Sequence, residues 1–172
     1  MASTYLTRTP SSTGNRQIWT FSAWVKRELS DYGHQIFQAT QNNDNYNKLY
    51  FYSDKIYWRS WISASNNGYK VTNRLFRDVN SWYHIVATFD STLATASDRM
   101  KLYINGVRET SFSTDLNPDL DLNSIMNTTN PLDIGRDNLN NVSFYSGSMS
   151  HIHFIDGTAY DASAFGEYDA NG

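Results

Sequence analysis

Residues 46–62 read YNKLYFYSDKIYWRSWI and contain two strand-like runs, 47–52 and 55–61, that meet at Ser53-Asp54. A two-residue turn there places Phe51 opposite Ile56, and each run then alternates between two faces. One face holds apolar side chains that suit a core: Leu49, Phe51, Ile56 and Trp58. The other holds aromatic and basic side chains: Tyr46, Lys48, Tyr50, Tyr52, Lys55, Tyr57, Arg59 and Trp61. A turn of odd length would mix the two sets, so the split predicts this register.

The same alternation continues outward in both directions along the chain. It predicts long strands at 19–25, 83–89, 99–104 and 149–156, and a hairpin turn at Asn105-Gly106 with a return strand from Val107 onward. Both faces of 83–89 are apolar, which indicates a central strand. Shorter strands are predicted at 5–9, 34–39, 70–76 and 132–135. Polar loops are predicted at 41–45, 91–98 and 115–130, and one helical turn at 161–167.

Composition points to the same all-β class. Glu, a good helix former, occurs only at Glu28, Glu109 and Glu167, while Tyr, Thr, Ser and Asn are abundant. The 172 residues suit one domain, residues 1–172, either alone or as a module of a longer chain. The absence of Cys excludes a disulfide framework and thiolate chemistry.

Charge and hydropathy narrow the set of partners. The net charge of -3 argues against binding nucleic acid, which needs a basic face. No apolar run approaches the roughly 18 residues that span a bilayer, and residues 1–10 lack the apolar stretch of a secretory signal. We therefore expect a soluble chain without membrane insertion.

Five stretches carry a resemblance to a known family. They are WTFSAWVK (19–26), SWYHIVATFD (81–90), KLYING (101–106), Ile134-Gly135 and FIDG (154–157). Their order and spacing resemble the laminin G-like and pentraxin-like modules of the concanavalin A-like lectin/glucanase superfamily. The resemblance covers roughly residues 5–165 and implies a jelly-roll sandwich of two antiparallel sheets.

Two further stretches, YLTRTPSSTGNR (5–16) and AYDASAFGE (159–167), resemble laminin G-like modules in structural and fibre-type proteins of tailed bacteriophages, notably marine ones. This resemblance implies a non-enzymatic structural, decoration or fibre module on the virion surface. Its partners would be other virion proteins or copies of itself, with host-surface polysaccharide as a candidate ligand. The alternative is a calcium-dependent lectin domain of a secreted bacterial protein, and a more remote one is a glucanase.

Enzymatic chemistry finds little support in the sequence. Glucanases of the superfamily carry a Glu-x-Asp-x-x-Glu strand, and residues 167–169 match only its first half, because position 172 is Gly. His84 lies within a strand pattern, which indicates a structural role, and His34 has no motif around it. His151 and His153 lie two apart and could chelate a metal, but no third ligand is defined. We therefore predict no catalytic residues and no required cofactor.

Calcium is the one metal that the resemblance makes a candidate, because lectin and laminin G-like modules often hold it on rim loops. The candidate ligands are Asp90 at a strand end, Asp98 across the same loop, and a group around Ile134-Gly135: Asp133, Asp137 and Asn138. The competing interpretation, which we favour, is that these side chains cap turns.

The outward aromatic face is the best binding candidate. Flat rings suit the C–H faces of sugars, and Lys48, Lys55 and Arg59 add donors for hydroxyl or acidic groups. Its candidate residues are Tyr46, Lys48, Tyr50, Tyr52, Tyr57, Arg59 and Trp61. Aromatic and Arg side chains also mark subunit interfaces, so packing against another chain is the competing interpretation, which we weigh slightly higher.

Overall fold

The computed structural model describes residues 4–28 and 33–166 of the chain. Within them, twelve strands form two antiparallel sheets. The strands are β1 (Leu6–Arg8), β2 (Ile18–Arg27), β3 (His34–Asn42), β4 (Asn45–Tyr52), β5 (Lys55–Ile62), β6 (Ser65–Thr72), β7 (Tyr83–Asp90), β8 (Met100–Ile104), β9 (Val107–Arg108), β10 (Phe112–Leu116), β11 (Leu132–Ile134) and β12 (Gly147–Asp156). Short 3-10 helices lie at Ala96–Asp98 and Ala162–Phe165, the second within the predicted helical turn.

One sheet has seven strands in the order β1-β11-β3-β4-β5-β6-β10, and the other has five in the order β12-β2-β7-β8-β9. The predicted all-β jelly-roll sandwich is therefore confirmed. Strand β7 is central in its sheet, as its apolar faces indicated. Asn105 and Gly106 both adopt positive φ between β8 and β9, which is the hairpin turn predicted there.

The β4–β5 hairpin has the register that the sequence predicts. Phe51 lies opposite Ile56 and Tyr52 opposite Lys55 across a two-residue turn. Ser53 and Asp54 take positive φ, as a tight hairpin turn requires. The Asp54 carboxylate also accepts a hydrogen bond from the buried Arg27 guanidinium at 3.2 Å, so this ion pair ties the turn to β2 of the other sheet.

The core lies between the sheets and receives the inward residues of both. Leu49, Phe51, Ile56 and Trp58 are all buried, as expected. Trp58 meets Trp19 of β2 edge to face, with 5.9 Å between ring centroids. Such ring pairs add about 0.5–1.5 kcal/mol beyond the area that they bury. The apolar face of the hairpin packs into the core. The aromatic and basic residues of the opposite face therefore lie on the outer surface of the sheet.

The structure corrects several predicted bounds. Residues 41–45 are not a loop, since β3 continues to Asn42 and a two-residue turn leads directly into β4. Strand β6 begins at Ser65 rather than Lys70, because its polar residues and Gly68 hide the strand pattern, and it ends at Thr72 rather than Phe76. The sequence does not predict β10, whose middle residues are polar and whose end at Leu116 overlaps the predicted loop 115–130; it pairs with β6 at the edge of the sheet.

Candidate functional site

The outward residues of β4 and β5 line a groove of about 440 Å³ on the outer face of the seven-stranded sheet. Six of the seven predicted binding residues line it: Tyr46, Lys48, Tyr50, Tyr52, Tyr57 and Arg59. The seventh, Trp61, stacks on Tyr46 with 6.2 Å between centroids and 14° between planes. The structure therefore brings the predicted set together, whereas Lys55 is opposite Tyr52 in register and is not among the lining residues.

Antiparallel register explains why these side chains converge. Lys48 of β4 lies opposite Gln38 of β3 and opposite Arg59 of β5, and Arg59 lies opposite Tyr69 of β6. Residues opposite one another in antiparallel strands project on the same face of the sheet. One row of polar and aromatic side chains thus crosses four neighbouring strands. Its members Lys48, Arg59 and Tyr69 line the groove, whereas Gln38 is fully buried.

The rings of the groove contact one another along a second row. Tyr50 and Tyr57 stack with 5.2 Å between centroids and 24° between planes. Tyr57 also meets Tyr52 edge to face at 5.7 Å and lies 6.3 Å from the ring of Tyr69. These contacts restrict the ring orientations, so the aromatic surface is ordered before any ligand arrives.

Two cations sit among these rings. The Arg59 guanidinium lies 4.2 Å from the centroid of Trp61 and 5.2 Å from that of Tyr69. Lys48 Nζ lies 4.7 Å from the Tyr46 ring and donates to Asp137 Oδ2 at 2.6 Å. Cation–π contacts of this kind hold a charged group over an aromatic face.

Burial raises the pKa of the Tyr50 phenol above its usual range. Burial also raises the pKa of Tyr46 and of Tyr57, although the Arg59 charge partly opposes the shift at Tyr46. All three phenols therefore remain protonated at neutral pH. They offer neutral hydrogen-bond donors and acceptors to a ligand and add no negative charge.

The sequence missed several residues of the groove: Gly33, Gln35, Tyr69 and Ser143. Gln35 lies beside a register shift between Gln35 and Phe37, which hides its orientation in the sequence. Tyr69 lies in the strand whose start was placed too late. Val71 lies two residues after Tyr69 and is also apolar. This spacing is the sequence signal that places Tyr69 on a strand.

The calcium candidates have partners within the protein. Asp90 Oδ1 accepts from the backbone N–H of Thr92 at 3.0 Å, and Asp98 pairs with Arg108 at 2.9 Å. Both are turn or surface contacts. The described residues contain no group of three or more His, Asp or Glu side chains that could hold a metal ion.

The remaining candidates lie around Gly135. Asp133 is buried and accepts from Arg136 Nε at 3.0 Å and from Asn138 Nδ2 at 2.5 Å. Asp137 instead belongs to the groove, where its carboxylate is paired with Lys48. Asp133 and Asn138 are therefore bonded to each other, whereas Asp137 is paired with Lys48. Calcium binding by these three residues stays a prediction.

None of the four histidines is among the described residues that line the groove. His34 begins β3. His84 is buried on β7, where its Nε2 lies 2.9 Å from Ser22 Oγ and its ring stacks on Trp24 at 5.0 Å, in keeping with the predicted structural role. His151 and His153 are both exposed, but a bulge interrupts the ladder between Ser150 and His153. The regular strand spacing on which a chelating pair depended is therefore absent.

The glutamates have structural contacts. Glu109 is buried and pairs with Arg74 Nε at 3.0 Å, and Glu28 accepts a hydrogen bond from the Ser146 hydroxyl. Residues 167–169, with the partial glucanase motif, lie outside the described residues. Of the described residues that line the groove, only Asp137 is a carboxylate.

A second, shallower depression of about 310 Å³ lies on the outer face of the five-stranded sheet, lined by Trp24, Trp82, Ser150 and His151. Trp24 and Trp82 are 38% and 40% exposed, so the chain displays tryptophan on both outer faces. No helix among residues 4–28 and 33–166 has the length and apolar character needed to cross a membrane.

Comparison with known proteins places this geometry in context. A family model described as the concanavalin A-like lectin/glucanases superfamily, Laminin_G_3, matches residues 2–162. No curated protein sequence matches the chain. Among solved structures, domains LG4-5 of the mouse laminin alpha1 chain superpose with a TM-score of 0.59 at 12% identity, covering 91% of this chain and 41% of that chain.

Two other solved structures are similar in fold. The native heptameric SAP-like pentraxin from Limulus polyphemus gives a TM-score of 0.53 at 16% identity, covering 86% of this chain and 68% of that chain. Domain 4 of an extracellular arabinanase from Geobacillus stearothermophilus, in complex with arabinotriose, gives a TM-score of 0.55 at 16% identity. That match covers 85% of this chain and 64% of the arabinanase domain.

Proposed function

This chain belongs to the concanavalin A-like lectin/glucanase superfamily, and from that premise we propose that it is a non-enzymatic carbohydrate-binding module. Its binding site is the groove on the outer face of the seven-stranded sheet. The observation that carries this proposal is the pairing of ordered rings with polar donors in one open groove, since sugars present both flat C–H faces and hydroxyl groups.

The geometry of individual contacts supports the assignment. Tyr46 and Trp61 stack with nearly parallel rings, and the Arg59 guanidinium lies over the Trp61 ring. A sugar in the groove would have the ring of Tyr46 and the phenol group of Tyr50 beside it. The arabinotriose complex of the similar arabinanase domain supports sugar binding by a sandwich of this shape.

Binding without hydrolysis is the second part of the proposal. Retaining and inverting glycosidases both need two carboxyl groups on either side of the scissile bond. Asp137 is the only carboxylate among the described lining residues, and Lys48 holds it in an ion pair. A single carboxylate cannot supply the pair of carboxyl groups that either mechanism requires.

The setting of the module is the third part. We place it on the surface of a bacteriophage particle, supported by the resemblance of residues 5–16 and 159–167 to phage structural modules. There it would bind host-surface polysaccharide and contact other virion proteins or further copies of itself. The alternative setting is a calcium-dependent lectin domain secreted by a bacterium, which depends on the carboxylates around Gly135.

A competing function of the same surface is subunit contact, because interfaces are enriched in Tyr, Trp and Arg. Tyr57→Ala and Trp61→Ala distinguish the two, with Trp24→Ala on the opposite sheet as the matched control. Glycan binding on an array and mass in solution are measured for all three variants. Loss of glycan binding at unchanged mass supports the proposal, and loss of an oligomer by folded variants supports subunit contact instead.

A further inference from the structure

One wall of the groove is packed against the N-terminal part of the chain. This groove wall is the segment 136–143, of which Asp137 and Ser143 line the groove. Strand β1 is the edge strand beside β11, and all three of its residues are exposed. Gly135 precedes the groove wall with a φ of +85°, and a Cβ there would lie 3.3 Å from the carbonyl oxygen of Thr4. The missing side chain therefore lets the chain before β1 pass close to the base of the groove wall.

The ring of Tyr5 covers the first side chain of the groove wall. The guanidinium carbon of Arg136 lies 3.6 Å from the centroid of the Tyr5 ring. The same ring lies 6.3 Å from the ring of Phe144, which follows the other end of the groove wall. A ring in this position attracts the cation and shields it from water. Accordingly, the Arg136 side chain is only 18% exposed.

Arg136 links Tyr5 to the rest of the groove wall. Its Nε donates to the buried carboxylate of Asp133 at 3.0 Å. Its Nη1 lies 3.5 Å from Oδ1 of Asn141, on the returning half of the groove wall. The planar guanidinium donates in fixed directions, so its position restricts the positions of both acceptors. Asp137 follows Arg136 directly in the chain, so the contacts lead from Tyr5 to a side chain that lines the groove.

The groove wall needs such contacts because part of its backbone is strained. Asn141 and Ser143 take positive φ values of 52° and 55°. Residues other than glycine hold this conformation only where their surroundings stabilise it. The ion pair of Asp137 with Lys48 holds the groove wall on the side of β4, and Arg136 under Tyr5 holds it on the side of β1.

We infer that Tyr5 is a positioning residue for the groove: its ring holds Arg136, and Arg136 holds the groove wall in the place where Asp137 and Ser143 line the groove. This inference rests on the proposed function and adds a determinant of affinity outside the binding site. Tyr5 is not a lining residue, so its effect on binding passes through the groove wall. If the groove wall is in place in only a fraction of the molecules, the apparent affinity falls by that fraction.

Variants at position 5 separate the ring from the bulk of the side chain. Tyr5→Phe keeps an aromatic face for the cation, whereas Tyr5→Leu keeps only apolar bulk. Tyr160→Leu is the matched control: Tyr160 is 43% exposed, close to the 40% of Tyr5, and its ring contacts Phe165 rather than the groove. Thermal unfolding of each variant confirms that it is folded.

The probe is a glycan array, on which the protein concentration that half-saturates each bound glycan is measured for every variant. Tyr5→Leu should raise this concentration by roughly threefold to tenfold, the range expected for one cation–π contact. Tyr5→Phe and Tyr160→Leu should leave it unchanged. Amide hydrogen exchange of the protein without glycan is the second readout, and exchange at residues 136–143 should be faster in Tyr5→Leu but not in Tyr5→Phe.

The outcomes separate this inference from the function on which it rests. An unchanged half-saturating concentration for Tyr5→Leu overturns the inference and leaves carbohydrate binding intact, even if the groove wall exchanges faster, because Tyr5 is then structural only. Equal losses of affinity in Tyr5→Leu and Tyr5→Phe also overturn it, since the phenol hydroxyl rather than the ring would be responsible. If the unaltered chain binds no glycan, the proposed function fails, and the role of Tyr5 in binding fails with it.

Discussion

Lys48 and Asp137 are 89 residues apart in the chain, yet Nζ of one lies 2.6 Å from Oδ2 of the other. This ion pair fixes the segment after β11 against β4 and so builds one wall of the groove. The same segment is folded on itself by a bridge between Asp137 and Val142. The position of Lys48 in the groove therefore depends on this ion pair, and the wall depends on the ion pair and the bridge together.

Replacing Asp137 with Asn should lower both stability and binding. The free energy of unfolding should fall by about 1–3 kcal/mol, because a mostly buried lysine loses its partner. Affinity for a glycan should fall severalfold, since the ion pair holds one wall of the groove. Urea denaturation and calorimetric titration measure the two effects.

The matched control for this variant is Asp98→Asn, which breaks the exposed pair with Arg108. Exposed pairs contribute little, so the change in the free energy of unfolding should stay within about 0.5 kcal/mol. Binding should not change. If Asp137→Asn bound glycan as tightly as the unaltered chain, the claim that this ion pair holds the wall of the groove would be wrong.

Acidification should destabilise the protein below about pH 6.5. Burial lowers the pKa of His34, assisted by the charge of Arg27, and burial with the nearby His153 lowers the pKa of His84. A histidine with a lowered folded-state pKa binds its proton more readily in the unfolded chain. Its contribution to stability is complete above the unfolded-state pKa of about 6.5 and is lost as the pH falls through the lowered pKa.

Urea denaturation at pH 8, 7, 6 and 5 measures this dependence. His84→Gln cannot titrate and should reduce the slope of the free energy of unfolding against pH between 6.5 and 5. A stability that is constant over this range, or a slope that the substitution leaves unchanged, would contradict the assignment of these two buried histidines.

Calcium removal should change neither folding nor binding under our proposal. Asp133 is already held by Arg136 and Asn138, and Asp137 by Lys48. We expect the melting temperature with excess EDTA to match that with calcium chloride. A rise of several degrees with calcium, together with calcium-dependent glycan binding, would instead favour the secreted lectin alternative.

Gly147 should be intolerant of substitution, because it begins β12 with a φ of +134°. A Cβ there would collide with the carbonyl oxygen of Lys26 on the paired strand. Gly147→Ala should lower the free energy of unfolding by more than about 1 kcal/mol. Gly166→Ala is the control, since no atom of the described residues lies within 4 Å of a Cβ at that position; equal stability of the two variants would refute the strain.

Side-chain parity made the β4–β5 hairpin predictable. Because side chains alternate strictly along a strand, a single turn length sorted Leu49 and Trp58 inward and Tyr50 and Arg59 outward. This local rule was sufficient to find most of the groove. It needs no knowledge of which strands are neighbours.

The remaining parts of the groove depend on contacts that no local rule describes. Asp137 was interpreted as a turn cap or calcium ligand because its partner Lys48 is distant in sequence. Gln35 lies just before a bulge that breaks the alternation of side chains, and Tyr69 lies on a strand whose pattern is interrupted by Gly68. The pairing of β6 with the edge strand β10 likewise joins residues that are distant in sequence, so no local pattern predicts it.

The most direct test of the account is an NMR titration that follows the indole N–H signals of the five tryptophans as an oligosaccharide that binds on the glycan array is added. The account predicts that the Trp61 signal shifts and saturates. The core signals of Trp19 and Trp58 and those of Trp24 and Trp82 on the opposite sheet should stay in place. Shifts at Trp24 and Trp82 with Trp61 unmoved would contradict the account and place sugar binding on the five-stranded sheet.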